Sequence, residues 1–198
     1  MGMTLGATAA GFSLEAFTAP VPRKAPEVTI TMNSGEQVLL SSLRGKVVAL
    51  EFLLTTCPHC QRCSGILQQM YQEYGSKGFQ PIGAAINENA RTLVPEFIYK
   101  LGLKYPVGVT PHDMAYEFLG YNQNDPNAGP MLMPQLVFID RKGIIRVQYA
   151  GDNEFFKNEE VNMKIEIEAM LKGTVEVKTA GSKKTGYADR RPSGTVRT

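Results

Sequence analysis

The sequence predicts an α/β fold, a three-layer sandwich with a mixed central sheet and an added N-terminal β-hairpin, and three observations carry it. Between about residues 27 and 172, short β-prone apolar runs alternate with segments of helical period. Lys46 to Leu54 is almost uninterruptedly apolar, which suits a central strand covered on both faces by helices. Two Gly-containing turns, Asn33-Ser34-Gly35 and Asp140-Arg141-Lys142-Gly143, each separate a pair of β-prone runs and read as hairpins.

Taken in order, Ala19 to Pro26 is proline-rich, stiff and extended, and residues 1–26 are expected to be an extended or disordered lead to the domain. Val28 to Thr31 and Val38 to Leu40 form the first hairpin, and Ser41 to Gly45 a one-turn connection to the central strand. After the strand, Ile66, Leu67, Met70, Tyr71 and Tyr74 recur at spacings of three and four, so a helix runs to about Tyr74 before Gly75. Phe79 to Ile86 is the next strand. Ala90 to Leu101 is helical, with Pro95 as a kink or a late start. A short strand at Val107 to Val109 precedes a short helix at Asp113 to Leu119. Leu136 to Ile139 and Ile144 to Tyr149 make the second hairpin, and Glu159 to Leu171 the closing helix. Residues 173–198 are polar, basic and nearly free of aliphatics, which predicts a disordered tail.

With 198 residues, 43% of them hydrophobic and 20% charged, the chain suffices for one domain of ordinary size with tails. A net charge of +2 and a pI near 8.4, with no basic stripe, are too mild to imply a nucleic-acid partner. No run of about 18 or more apolar residues is present, so no membrane span is expected. No basic residue precedes Arg23, and a secretory signal needs a positive start and a continuous apolar core.

All three cysteines lie within Cys57 to Cys63, so they cannot staple distant segments. Cys57-Pro58-His59-Cys60 follows the central strand directly, and Pro58 suits an early helix position because its missing N–H costs nothing there. The helix would then begin under the Cys57 sulfur. Unpaired N–H groups and the positive helix end favour a thiolate at that point, which marks Cys57 as a nucleophile with Cys60 one turn on, positioned to close a disulfide. The competing reading of such spacing is half of a zinc site, yet only His59 and His112 are available as histidine ligands. Cys63, a further turn along, is expected to be a small buried hydrophobe, with a metal-binding triad as the alternative. Glu51 is the one charge in the apolar strand, and burying a carboxylate costs several kcal/mol unless it is paired or protonated.

These residues, together with Glu27 to Leu43, the stretch Arg44 to Phe52 (RGKVVALEF), and Met133-Pro134-Gln135-Leu136-Val137-Phe138-Ile139-Asp140, resemble the redoxin branch of the thioredoxin superfamily over roughly residues 25 to 172. The resemblance implies a thioredoxin-like three-layer sandwich and a thiol-disulfide oxidoreductase using a Cys57–Cys60 dithiol, with no cofactor beyond that couple and no metal. It carries onto Glu51 the acid that moves protons to and from the inner cysteine. It carries onto Pro134 a cis-proline opposite the dithiol, with Met133 offering main-chain hydrogen bonds to an extended peptide. His59 is expected to tune the site as a cation beside the thiolate, in a dipeptide like that of strongly oxidising disulfide-forming proteins, whereas the scaffold is like that of proteins that often reduce.

Partners implied are protein thiols or disulfides and an upstream redox partner, for a monomer. The expected location is periplasmic or otherwise extracytoplasmic, with a signal or anchor absent from this sequence, and cytoplasmic as the alternative. Two departures stand out. Thr56 replaces the family's usual tryptophan, and Tyr121 to Met133 is a long polar loop leading into Pro134, expected to govern specificity. Two other functions compete. A thiol peroxidase of the related peroxiredoxin type would want Thr or Ser and Pro where this chain has Leu54 and Leu50, and a copper or zinc module would use Cys57, Cys60, Cys63 and His59.

Overall fold

The computed structural model describes residues 19–122, 124 and 129–173. The expectations for residues 1–18 and 174–198, and for Gln123 and residues 125–128 of the polar loop, lie outside them. Eight strands form one mixed sheet: β1 (Arg23–Lys24), β2 (Thr29–Thr31), β3 (Gln37–Leu39), β4 (Val47–Leu53), β5 (Phe79–Ala85), β6 (Val107–Val109), β7 (Gln135–Ile139) and β8 (Ile144–Tyr149). Their spatial order is β1-β8-β7-β4-β5-β6-β2-β3. Strands β4, β5 and β6 run parallel, while β7 is antiparallel to β4, and β2 to β6. The strand expected at the centre, β4, is fully buried and lies between β5 and β7.

Four helices cover the sheet: α1 (Pro58–Tyr74), α2 (Ala90–Leu101), α3 (His112–Leu119) and α4 (Glu159–Lys172). Pro95 sits inside α2 without ending it. One core joins α1, α2 and α4 to the sheet through Leu67, Met70, Val94, Phe97, Met163 and Ile167. The opposite core joins α3 and the N-terminal hairpin through Phe118, Leu119, Val28 and Ile30. The result is helix, sheet and helix in three layers, as the alternation of elements predicts.

Period-two alternation along β4 decides where Glu51 goes. Val47, Ala49 and Leu53 belong to the core under α1, and Val48, Leu50 and Phe52 to the opposite one. Glu51 shares the parity of the first set, so its carboxyl points beneath α1. In β6, Gly108 lets the hairpin approach: a Cβ there would lie 2.5 Å from the Thr31 carbonyl oxygen.

Residues 23–24, expected only to be extended, pair with β8 as an edge strand. The burial of Ala25 follows from that pairing, because it carries the lead across the second core. Among the described residues, no helix is long and apolar enough to cross a membrane.

Candidate active site

Strand β4 ends at Leu53, and a tight loop delivers Cys57 to the start of α1. The loop is held from three directions. The Cys57 amide donates to the Leu54 carbonyl at 3.1 Å, the Thr55 amide to Asn87 Oδ1 at 3.1 Å, and Gln61 Nε2 to the Thr55 carbonyl at 2.9 Å. Asn87 and Gln61 thus fix the approach of Cys57 to the helix, a role invisible in sequence because it depends on β5 ending beside β4.

Cys57 is the N-cap residue of α1, with Pro58 in its first turn. Its Sγ accepts a hydrogen bond from the Cys60 amide at 3.4 Å. The sulfur satisfies one of the orphan N–H groups at a helix start. Cys57 is half-buried, while Cys60 and Cys63 are fully buried, and all three are free thiols. Burial pushes the Cys60 thiol far above the ordinary value, and the nearby Glu51 raises it further.

Glu51 has 0% exposure and stands beneath this turn. Ser64 Oγ donates to its Oε2 at 2.6 Å, and the Tyr105 hydroxyl donates to the Ser64 carbonyl at 3.3 Å. Burial pushes the carboxyl up to about 8, opposed by Ser64 and the Cys63 thiol and reinforced by the negative charge of Glu159. A carboxyl poised there is close to the pH at which an acid-base group works best.

Cys63 is buried, as expected, but it is not an inert hydrophobe. Its thiol neighbours both Glu51 and Glu159, and burial followed by these two carboxylates drives it well above the ordinary value. Glu159, the first residue of α4, is itself buried, and Arg62 Nε meets its Oε2 at 3.0 Å. Sequence reasoning missed it. An acid in the first turn of a helix is ordinarily a solvated partner of the helix dipole, and no signal in the chain distinguishes this one.

The expected cation at His59 is corrected by the structure. Its ring lies edge-on to Phe156, with centroids 4.7 Å apart, and its Nε2 is sealed off with no hydrogen-bond partner. Burial, then the neighbouring Arg62, hold the imidazole below its ordinary value against the pull of Glu159. The shift favours the neutral imidazole over the cation that the sequence suggested.

Met133 and Pro134 precede β7, whose first residues pair with the end of β4: Gln135 lies opposite Phe52 and Leu136 opposite Glu51. They therefore sit at the same end of the sheet as Cys57. The Met133–Pro134 bond is cis, as is Val21–Pro22. Gly151 lies against the Met133 backbone, where an added Cβ would come within 2.6 Å of the carbonyl carbon. Among the described residues, no group of three or more His, Cys, Asp or Glu side chains is arranged to hold a metal.

The family model described as Redoxin matches residues 20–163, which spans both hairpins, the dithiol and the cis-proline. The chain belongs to the Redoxin family. Within it, this redoxin is 28% identical over 142 residues to the thiol-disulfide oxidoreductase ResA of Bacillus thuringiensis (strain Al Hakam), covering 72% of this chain and 76% of that one. A putative protein disulfide isomerase from Bacteroides thetaiotaomicron superposes with a TM-score of 0.63 at 29% identity, over 79% of this chain and 94% of the other. A putative thiol:disulfide interchange protein DsbE from Chlorobium tepidum gives 0.62 at 24% identity, over 79% and 99%, and shows the shared fold alone. The fold is thioredoxin-like.

Proposed function

We propose that this redoxin is a thiol-disulfide oxidoreductase acting on protein disulfides through Cys57 and Cys60. The observation that carries the reading is the asymmetry of the two sulfurs: Cys57 is reachable and accepts an N–H at a helix start, whereas Cys60 is sealed above a buried acid. The relatives named as thiol-disulfide oxidoreductases support the same chemistry.

The Cys57 thiolate attacks a substrate disulfide, forming a Cys57–substrate disulfide and releasing one substrate thiolate. Glu51 then takes the Cys60 proton. The Cys60 thiolate attacks Cys57 Sγ, which closes the Cys57–Cys60 disulfide and releases the second substrate thiolate. Two electrons pass to the substrate, and an upstream dithiol partner restores the enzyme. Disulfide reduction is the direction we favour, because burial of His59 disfavours the cation that would stabilise the thiolate of a strongly oxidising couple. The reaction needs no cofactor beyond the couple itself, and an extracytoplasmic compartment is where its substrates persist.

Alkylation of the reduced, folded protein near neutral pH is the test. Cys57 is expected to react with iodoacetamide alone, and a Cys60→Ser variant to accumulate a mixed disulfide through Cys57 that mass spectrometry identifies. Equal labelling of all three cysteines would overturn the assignment.

A further inference from the structure

We propose that Glu159 is a second acid of this site, relaying the resolving proton between Glu51 and solvent at Arg62. The inference rests on the reading of Cys57 and Cys60 as an exchanging dithiol. It begins from an oddity of burial: two carboxyls lie under one helix turn, Glu51 fully buried and the Glu159 side chain 4% exposed. Each keeps one oxygen, Oε1, without a well-formed hydrogen bond. Such orphaned oxygens are costly, and two buried carboxyls beside one thiol ask for a reason beyond packing.

The groups around them form a line. Cys60 stands above Glu51, the Cys63 thiol lies beside both carboxyls, and Arg62, 58% exposed, closes the far side of Glu159. Ser64 and, through it, Tyr105 hold Glu51 in place without being bases themselves. His59, on the same turn as Cys60, also feels Glu159, but burial and Arg62 outweigh that pull and disfavour its cation. Glu51 has no exposure of its own, so a proton it takes from Cys60 must leave through a neighbour. Glu159 is the ionisable neighbour that meets an exposed side chain, through its ion pair with Arg62. In the step, the Cys60 proton passes to the Glu51 carboxylate, and the Cys63 thiol hands a proton to Glu159 as it receives one from Glu51. Glu159 then releases a proton to water beside Arg62. No group other than the Cys60 thiol is changed at the end.

The experiment measures resolution of a preformed Cys57 mixed disulfide against pH, with the first attack by Cys57 as internal reference. In Glu159→Gln the plateau rate is expected to fall about tenfold or more relative to first attack, as for loss of an acid-base group. The midpoint should also move to lower pH, because a negative charge beside Glu51 has gone. Arg62→Gln changes a side chain at the surface and uncovers the Glu159 charge, so its midpoint should move to higher pH. An intact plateau in Glu159→Gln overturns the relay even if the midpoint moves, as does a plateau that falls only in step with first attack. Should Glu159→Gln not fold, an unmoved midpoint in Arg62→Gln overturns it alone. Failure to form any mixed disulfide through Cys57 would instead strike the oxidoreductase reading, so the two failures are distinguishable.

Discussion

At the scale of single residues, the site is a problem of where protons sit. A glutamate in the unfolded chain ionises near 4.5, whereas folded Glu51 holds its proton up to about 8. Below pH 4.5 both forms are protonated and the group is silent. Between pH 4.5 and 8 only the unfolded chain releases the proton, so stability falls as pH rises, and above pH 8 the loss is complete. Glu51→Gln keeps the acceptor for Ser64 and removes the charge. It is therefore expected to stabilise the protein by roughly 1–3 kcal/mol at pH 8, below the ceiling of about 1.4 kcal/mol for every tenfold change in proton affinity on folding, and by nearly nothing at pH 4. Denaturant melts at the two pH values check this, and equal midpoint changes at both would refute it. The same variant should trap mixed disulfide, since first attack by Cys57 does not need this base. That Glu51 is buried was legible in the sequence, as a lone charge in an apolar run whose strand parity directs it under α1. Glu159 was not, because its burial depends on where α4 docks, which no local pattern encodes.

Elements position these residues by close approach rather than by specific bonds alone. Gly151 follows β8 and backs the Met133 carbonyl, at a spacing that leaves no room for a methyl group. The obstacle is backbone on both sides, so a side chain at 151 cannot be accommodated by a rotamer change. Gly151→Ala should push the segment before β7 toward the dithiol, cost roughly 1–3 kcal/mol, and slow turnover of protein disulfides more than alkylation of Cys57 by a small reagent. An unchanged ratio of the two rates would separate this segment from substrate handling. The boundaries of β4, α1, β6, β8 and α4 were readable to within a residue or two, because period, proline and glycine mark them. The clamp of Asn87 and Gln61 on the loop before Cys57 was not readable, since it joins residues from different elements. Nor was the edge-on packing of His59 against Phe156, which lies far away in sequence.

For the whole molecule, the sheet separates chemistry from anchoring. The dithiol rises from β4 at the centre, and β1, three strands away, ties the N-terminal lead to the domain. Two paired residues make a weak strand, and Arg23 adds side-chain bonds to the backbone contacts that Ala19 and Ala25 make. Its guanidinium donates to Gln148 Oε1 at 2.7 Å, to the Phe118 carbonyl at 3.0 Å and to the Ala19 carbonyl at 3.1 Å, joining β8, α3 and the lead. Removing it leaves two carbonyls and an amide oxygen in part-buried positions without that donor, at about 1–3 kcal/mol for a charged hydrogen-bond set. Arg23→Ala should lower the melting midpoint by several degrees, at about 2–4 °C per kcal/mol for a domain of this size. The lead should then become susceptible to limited proteolysis ahead of the rest. Neighbouring strands lie about 4.8 Å apart, so Arg23 is well over 10 Å from β4 and acts on no titrating group of the site. The alkylation rate of Cys57 and the pH midpoint of resolution are accordingly expected to stay at their wild-type values below the melting transition. A shift in either would mean that edge and centre are coupled through the sheet, and that the lead takes part in setting the redox site.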